Sequence, residues 1–175
     1  SQGRQKKMSK SEAEALKGKD EFWLQRRYRL MWNNVKYEPG EVKVVAYDAN
    51  GAKAEEKTIR TAGKPHHIEL TRVSQDLAGN SRDELTYITV SVVDAEGNIC
   101  PNAGNLISFS VKGEGKFRAA SNGDATNLDL FHLPQHHAFA GQCTLIIQGT
   151  GKTGTAIVEA KAKGLKSGKL TLQQM

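Results

Sequence analysis

The chain has 175 residues, enough for one or two domains, and 38% of them are apolar. The net charge of +6 is unevenly placed, because residues 1–29 carry nine Lys/Arg against four Asp/Glu and the remainder is close to neutral. The chain lacks the ~18 consecutive apolar residues of a membrane helix and a signal-like apolar segment at its front. We therefore expect no membrane span, and we expect the chain to begin inside a longer protein.

Residues 6–27 form a polar, basic insertion. A basic arm can bind nucleic acid, but acidic residues interrupt this one and no nucleic-acid motif follows it. We expect a solvated insertion and no nucleic-acid partner. Two Ser/Glu pairs fit the capping box of a short helix ending near Gly18, namely Ser9 with Glu12 and Ser11 with Glu14.

The next segment has the pattern of β structure. Tyr28, Leu30 and Trp32 alternate as in a half-buried strand. Residues 62–65 break the pattern, which predicts a first domain over residues 1–64 and a second over residues 65–175. Within the first domain, a turn at residues 38–41 precedes two more strands joined by an Asn50-Gly51 hairpin signal, one with Val42, Val44 and Ala46 on one face and one over residues 57–61.

The second domain has the pattern of an all-β, immunoglobulin-like sandwich. Apolar and polar residues alternate in seven short segments separated by turns, within about 110 residues. The strongest segment has Ile88, Val90 and Val92 on one face. A long irregular stretch, residues 124–141, interrupts the series. The predicted strands begin at Ile68 and then cover residues 85–93, 107–111, 117–120, 143–148, 155–162 and 169–172.

The two cysteines, Cys100 and Cys143, allow one disulfide at most. Cys143 alternates with Leu145 and Ile147, which favours a small apolar residue in a strand over a bridge. The sequence leaves two questions open: whether the protein occupies an oxidising compartment and whether the two cysteines pair.

The sequence offers no catalytic residues. Gly149–Gly154 resembles a phosphate loop, but Ile146 stands where that loop needs glycine, so we expect a hairpin turn. No nucleophile motif is present. The carboxylates fall mostly in turns, where solvation explains them: Asp48, Asp94, Glu96 and Asp124.

Five histidines occur as His66-His67, His132 and His136-His137. Adjacent histidines on a strand project to opposite faces, so only one of each pair can easily join a site. We therefore expect no metal and no cofactor.

Three aromatic residues ahead of the first hairpin are candidates for a sugar-stacking surface. They are Trp23, Trp32 and Tyr37, whose rings suit the apolar faces of pyranoses. The alternative is that Trp32 lies in a core and the other two cover a sheet edge.

Several motifs carry a family resemblance. The first domain contains Trp32, Tyr37-Glu38-Pro39-Gly40, Val45-Ala46-Tyr47 and Arg60-Thr61-Ala62-Gly63. The second contains Tyr87-Ile88-Thr89-Val90, Val93-Asp94-Ala95-Glu96-Gly97-Asn98, Pro101-Asn102-Ala103, Ile107-Ser108-Phe109-Ser110-Val111 and Ser121-Asn122-Gly123. Over most of residues 28–172 the chain resembles the β domains that follow the catalytic barrel in family 2 glycoside hydrolases, the β-galactosidase-like enzymes of Bacteroidota. The second domain is also similar to invasin-type domains.

The resemblance implies a structural, non-catalytic C-terminal region of a glycosidase, with a truncated first domain and an exposed sheet edge there. The expected partner is the catalytic barrel of the same polypeptide, which would hold the two carboxylates of a retaining hydrolysis. Oligomer contacts and glycan binding are further expectations, and the family implies a periplasmic or cell-surface location. The alternatives are a carbohydrate-binding module and an invasin-like adhesin.

Overall fold

The computed structural model describes residues 9–18, 29–32, 35–73 and 85–174. The chain divides into two compact units, residues 1–39 and residues 40–175. The domain boundary placed between residues 64 and 65 stays a prediction. Within the described ranges, no helix combines the length and apolar character needed to cross a membrane.

The first unit contains one short helix, α1 (Lys10–Leu16). Ser9 caps it: the Ser9 hydroxyl accepts from the Glu12 backbone N–H at 3.3 Å, and the Ser9 N–H donates to Glu12 Oε2 at 2.7 Å. The capping box is therefore confirmed. The strand expected over residues 28–32 is wrong for residues 29–32, which are irregular and exposed. Alternation alone cannot form a strand without a hydrogen-bonded neighbour, and residue 28 lies outside the described part.

The second unit begins with a two-stranded antiparallel ribbon of β1 (Glu41–Tyr47) and β2 (Lys53–Arg60). Gly51 adopts a φ of +83°, and the Asp48 carboxylate accepts from the N–H groups of Asn50 and Ala52. The predicted hairpin is confirmed. In the described part of residues 1–64, the regular elements are this ribbon and α1, and the truncated first domain stays a prediction.

The rest of the second unit is a sandwich of two antiparallel four-stranded sheets. One sheet has the order β3-β4-β8-β6 and the other β10-β9-β5-β7. Leaving out β7, this is the strand arrangement of a seven-stranded immunoglobulin constant-type domain. The strands are β3 (His67–Arg72), β4 (Leu85–Val93), β5 (Leu106–Gly113), β6 (Gly115–Ser121), β7 (Gln135–His137), β8 (Gln142–Gly149), β9 (Gly154–Ala162) and β10 (Gly168–Gln174). The all-β fold predicted from the sequence is confirmed.

The core lies between the two sheets and contains every second residue of the central strands. Ile88, Val90 and Val92 of β4 are completely buried, as their alternation predicts. They pack with side chains from β8 in the same sheet and from β5, β9 and β10 in the opposite one. The β8 side chains are Cys143, Leu145 and Ile147, and those of the opposite sheet are Ile107, Phe109, Ala156, Val158, Ala160 and Leu172.

Two connections differ from their predictions. Gly149–Gly154 is not a hairpin turn, because β8 and β9 belong to different sheets and the segment crosses between them. The stretch of residues 124–141 is not wholly irregular, because it contains the three-residue strand β7 at the edge of β5. A local alternation pattern cannot show which sheet a strand joins, and three residues are too few to display a period.

Both cysteines are buried and unpaired. Cys143 lies in β8 within the core, as its alternation predicts, and burial raises the pKa of its thiol to about 12. Cys100 follows β4, and its sulfur lies 3.7 Å from the Gly63 carbonyl oxygen. At neutral pH both residues are therefore protonated, unreactive apolar groups.

We expect Leu145→Ala to lower the free energy of unfolding by about 2–5 kcal/mol, because it empties a fully buried position between the sheets. The same substitution at Leu128, which is 92% exposed, should change it by less than about 0.5 kcal/mol. Urea denaturation of the two variants measures both values. Equal losses at the two positions would contradict the placement of the core.

Candidate functional site

The structure describes two of the three predicted sugar-binding aromatics, and both are exposed. Trp32 exposes 41% of its surface and Tyr37 exposes 73%, in segments without regular structure. The alternative that Trp32 lies in a core does not hold within this chain. Trp23 lies outside the described residues, so the three-residue surface stays a prediction.

The most heavily bonded polar group in the sandwich is the carboxylate of Asp94, at the end of β4. It accepts from the backbone N–H of Gly63 at 2.7 Å and from the N–H groups of Glu96 and Asn98 at 3.1 and 2.7 Å. The Asn98 side-chain amide also donates to both carboxylate oxygens. Asp94 thereby closes its own turn and fixes the segment that leads from β2 to β3.

Asp94 is 1% exposed, so the prediction that it is a solvated turn residue is wrong. A buried carboxylate must have its oxygens satisfied, and here backbone donors satisfy them. The Gly63 N–H and the donors of Asn98 and Glu96 lower the pKa of Asp94 to about 2, against the opposing effect of desolvation. Sequence reasoning missed this role because Gly63 is 31 residues away.

The other turn carboxylates bond locally. Asp124 accepts from the N–H and hydroxyl of Thr126, and these bonds lower the pKa of its carboxyl. Asp48 closes the β1–β2 loop and is exposed, as expected of a solvated turn. Glu96 is exposed in the turn that follows β4. Their hydrogen bonds shape turns and do not point to catalysis.

The two histidine pairs differ: in β7 His136 is buried and His137 is exposed, as expected of adjacent strand residues, whereas His66 and His67 do not alternate. The side chains of His66 and His67 turn toward each other, with 3.0 Å between their Nδ1 atoms. The expectation that adjacent histidines project to opposite faces is wrong here, because β3 begins at His67 and His66 precedes it. Within the described ranges, no group of three or more His, Cys, Asp or Glu side chains is arranged to hold a metal ion.

The second histidine pair supports the long loop before β8. His137 donates from its backbone N–H to Asp129 at 2.9 Å, and its Nδ1 lies 2.7 Å from the same carboxylate oxygen. These bonds lower the pKa of Asp129. His136 is buried and stacks on the ring of Phe131, with 6.2 Å between centroids. The pair thus fixes the loop, and its role is structural.

Taken together, these polar groups belong to a β-sandwich whose charged side chains stabilise its own turns and the segment between β2 and β3. The sequence of residues 68–171 matches the family described as Glycoside hydrolase family 2 C-terminal domain 5. This match covers more than half of the chain, so the chain belongs to that family. Residues 1–55 match a domain of unknown function, DUF4982.

Individual relatives agree with the family. The chain is 41% identical over 138 residues to the β-galactosidase BoGH2A of Bacteroides ovatus, an alignment covering 79% of this chain and 16% of the relative. A solved family 2 member from Bacteroides cellulosilyticus superposes with a TM-score of 0.70 at 27% identity, covering 81% of this chain and 18% of the other. A β-glycosidase from Bacteroides vulgatus gives 0.72 at 25% identity, covering 80% and 18%.

The chain is therefore a C-terminal accessory region of family 2 glycoside hydrolases, as the motifs predicted. It spans about a sixth of the length of the Bacteroides ovatus relative and corresponds to one part of a larger family 2 polypeptide. The matched relatives do not favour the adhesin alternative.

We expect the stability of the chain to depend on the ionisation of Asp94. Because the pKa of Asp94 is about 2 in the fold and 3.8 in its reference state, the carboxylate stabilises the fold above about pH 4. That contribution is lost as the pH falls from about 4 to about 2. In Asp94→Asn, Tm at about pH 6 should fall by more than about 5 °C, and its decline below about pH 4 should be shallower.

Thermal unfolding followed by circular dichroism between about pH 2 and pH 6 tests this expectation. Glu96→Gln is the matched control, because it neutralises an exposed carboxylate in the same turn and leaves the carboxylate that binds Gly63 intact. Parallel pH profiles for the wild type and Asp94→Asn would show that Asp94 is not the linked group.

Proposed function

We propose that this region packs against the catalytic part of the same polypeptide and stabilises it, and that the two apolar surfaces described next form part of that contact. The observation that carries the proposal is the exposed apolar face of the β1–β2 ribbon. A two-stranded ribbon is marginal in water by itself and needs a covering surface.

The ribbon has two different faces. Residues directly opposite each other in a β ladder share a face, which places Val42, Ile59 and Val44 side by side on the face that also carries Lys57 and Glu55. Val42 and Ile59 are 65% and 64% exposed, and Val44 is 45% exposed. The opposite face carries the Glu56 carboxylate, bound by Lys43 at 2.8 Å and by Lys53 at 2.6 Å. Water suits the charged face, whereas the apolar face is suited to burial.

A second apolar surface supports the same conclusion. The loop before β7 exposes Leu128 by 92%, Leu130 by 56% and Phe131 by 61%. Its backbone is bound to both sheets, because Phe131 O accepts from Ala120 N–H and Pro134 O accepts from Phe109 N–H. Residues 119–151 contain no Lys or Arg, although the chain as a whole is basic. Exposed apolar side chains on a backbone that is fixed by hydrogen bonds, in a segment without lysine, are typical of a protein interface.

The proposed activity of the whole polypeptide follows from its relatives. Similarity to the β-galactosidase of Bacteroides ovatus supports hydrolysis of β-galactosides. In a retaining glycosidase of this family, two carboxylates in the barrel act as nucleophile and acid/base. We place the polypeptide in the periplasm or at the cell surface, where family 2 enzymes of this kind meet glycans.

Val42→Asp separates the packing role from simple folding. In the isolated chain Val42 is exposed, so the substitution should shift Tm by less than about 3 °C. In the full-length polypeptide the same carboxylate would be buried unpaired, and we expect the inactivation temperature to fall by more than about 5 °C.

Thr58→Asp is the control, because it adds the same charge to the opposite face of β2, where Thr58 pairs with Lys43. It should leave unchanged both Tm of the isolated chain and the inactivation temperature of the full-length polypeptide. Differential scanning calorimetry and residual hydrolysis of a chromogenic β-galactoside provide the two measurements. Equal effects of Val42→Asp and Thr58→Asp in the full-length polypeptide would refute the packing role of this face.

Glycan binding is the second candidate, favoured by the exposure of Trp32 and Tyr37. Titration calorimetry against galactose-, mannose- and glucuronate-containing glycans should then show saturable binding. Trp23→Ala, Trp32→Ala or Tyr37→Ala should weaken it more than tenfold without lowering Tm. Phe131→Ala removes an exposed aromatic elsewhere and should have no effect. Absence of binding across the panel would leave the packing role alone.

A further inference from the structure

His66 and His67 are held at the joint where the chain enters the sandwich. The His66 backbone N–H donates to Val93 O at 2.8 Å, and its carbonyl accepts from Lys166 N–H at 3.0 Å. The neighbouring Ile68 N–H donates to Lys166 O at 3.1 Å. The backbone is thereby fixed on both sides, and the two imidazoles meet edge to face, with 5.2 Å between centroids and 89° between planes.

The surroundings of His67 select one tautomer. Its Nε2 lies 3.3 Å from a carboxylate oxygen of Glu69, the next residue on the same face of β3. A carboxylate accepts only, so Nε2 carries the proton and Nδ1 keeps its lone pair. That lone pair faces Nδ1 of His66 at 3.0 Å. The same carboxylate–imidazole arrangement orients metal-binding histidines in many sites.

We propose that His66 and His67 form a two-histidine site for a divalent late transition metal ion, with Cu²⁺ preferred over Zn²⁺. Two nitrogen ligands about 2.0–2.1 Å from one ion are about 2.9 Å apart at the right angle of a tetragonal site, and about 3.3 Å apart in a tetrahedral one. The separation of 3.0 Å between the Nδ1 atoms is closer to the tetragonal value.

Metal binding replaces the proton that the two rings share. His66 changes from its Nδ1–H to its Nε2–H tautomer, both rings rotate so that their lone pairs converge on the ion, and neutral imidazoles remain the ligands. Water occupies the other coordination positions. Both side chains are half-buried, so solvent and ions reach the rings. Glu69 is a positioning residue, because it contacts His67 and not the ion.

An ion at this position would lie at the start of β3, three residues after the Gly63 N–H that Asp94 binds. Because its two ligands are consecutive residues, the site would fix the orientations of the two rings and would close no loop of the chain. It is independent of the packing surfaces proposed above, because Val42, Ile59 and Leu128 take no part in it.

Titration of the whole chain with Cu²⁺ or Zn²⁺ in a weakly coordinating buffer at about pH 7.5 tests the site. We expect one Cu²⁺ per chain, with an electron paramagnetic resonance spectrum showing imidazole nitrogen coupling. Zn²⁺ should bind at least threefold more weakly. His66→Ala and His67→Ala should each weaken Cu²⁺ binding at least tenfold, and Glu69→Gln should weaken it while one ion per chain still binds.

His132→Ala and His137→Ala are matched controls, because they remove histidines distant in sequence, and both should bind Cu²⁺ as the wild type does. Tm measured in the presence of a chelator shows whether each variant folds. If His67→Ala does not fold, the Cu²⁺ binding of His66→Ala and Glu69→Gln tests the proposal. Binding unaffected by His66→Ala, binding lost equally in His137→Ala, or no saturable binding would each overturn the proposal.

Discussion

Burial of alternate side chains between two sheets is the constraint on which the rest of the second unit depends. Ile88, Val90 and Val92 on β4 and Leu145 and Ile147 on β8 form one wall of the core, fully shielded from water. Strands with one buried face must keep a single register, because a shift of one residue would exchange the apolar face for the polar one. The connections then have to cross between the sheets wherever the strand order demands it.

Where a connection crosses between the sheets, its backbone polar groups need hydrogen-bond partners that the sheets do not provide. Between β5 and β6 the chain changes sheets within one residue, and Gly113 adopts a φ of +85° with the Thr155 carbonyl directly against it. A side chain there would be strained and would clash with that carbonyl. At the joint, the buried carboxylate of Asp94 supplies acceptors for Gly63 and for its own turn. Stability at the ends of the sandwich therefore depends on a few side-chain-to-backbone bonds.

The surfaces of the region follow from its place in a larger polypeptide. Several of its ionised groups bond to one another, as in the pairs Lys43–Glu56 and Arg60–Glu41. Several of its exposed apolar residues lie on the ribbon and on the loop before β7. Exposed apolar patches commonly mark interaction sites, which is why we propose that the catalytic part of the polypeptide covers these residues.

The sequence by itself determined most of the strands, the capped helix, the ribbon hairpin, most of the core and the family. Each of these depends on local alternation, a cap, a turn or a short motif. Only the tertiary structure decided which sheet each strand joins, that Asp94 is buried against Gly63, and that the rings of His66 and His67 meet. It also decided that residues 29–32 form no strand and that Trp32 is exposed. The physical reason is that pairing, burial and contact depend on residues far apart in the chain, and a local pattern contains no information about them.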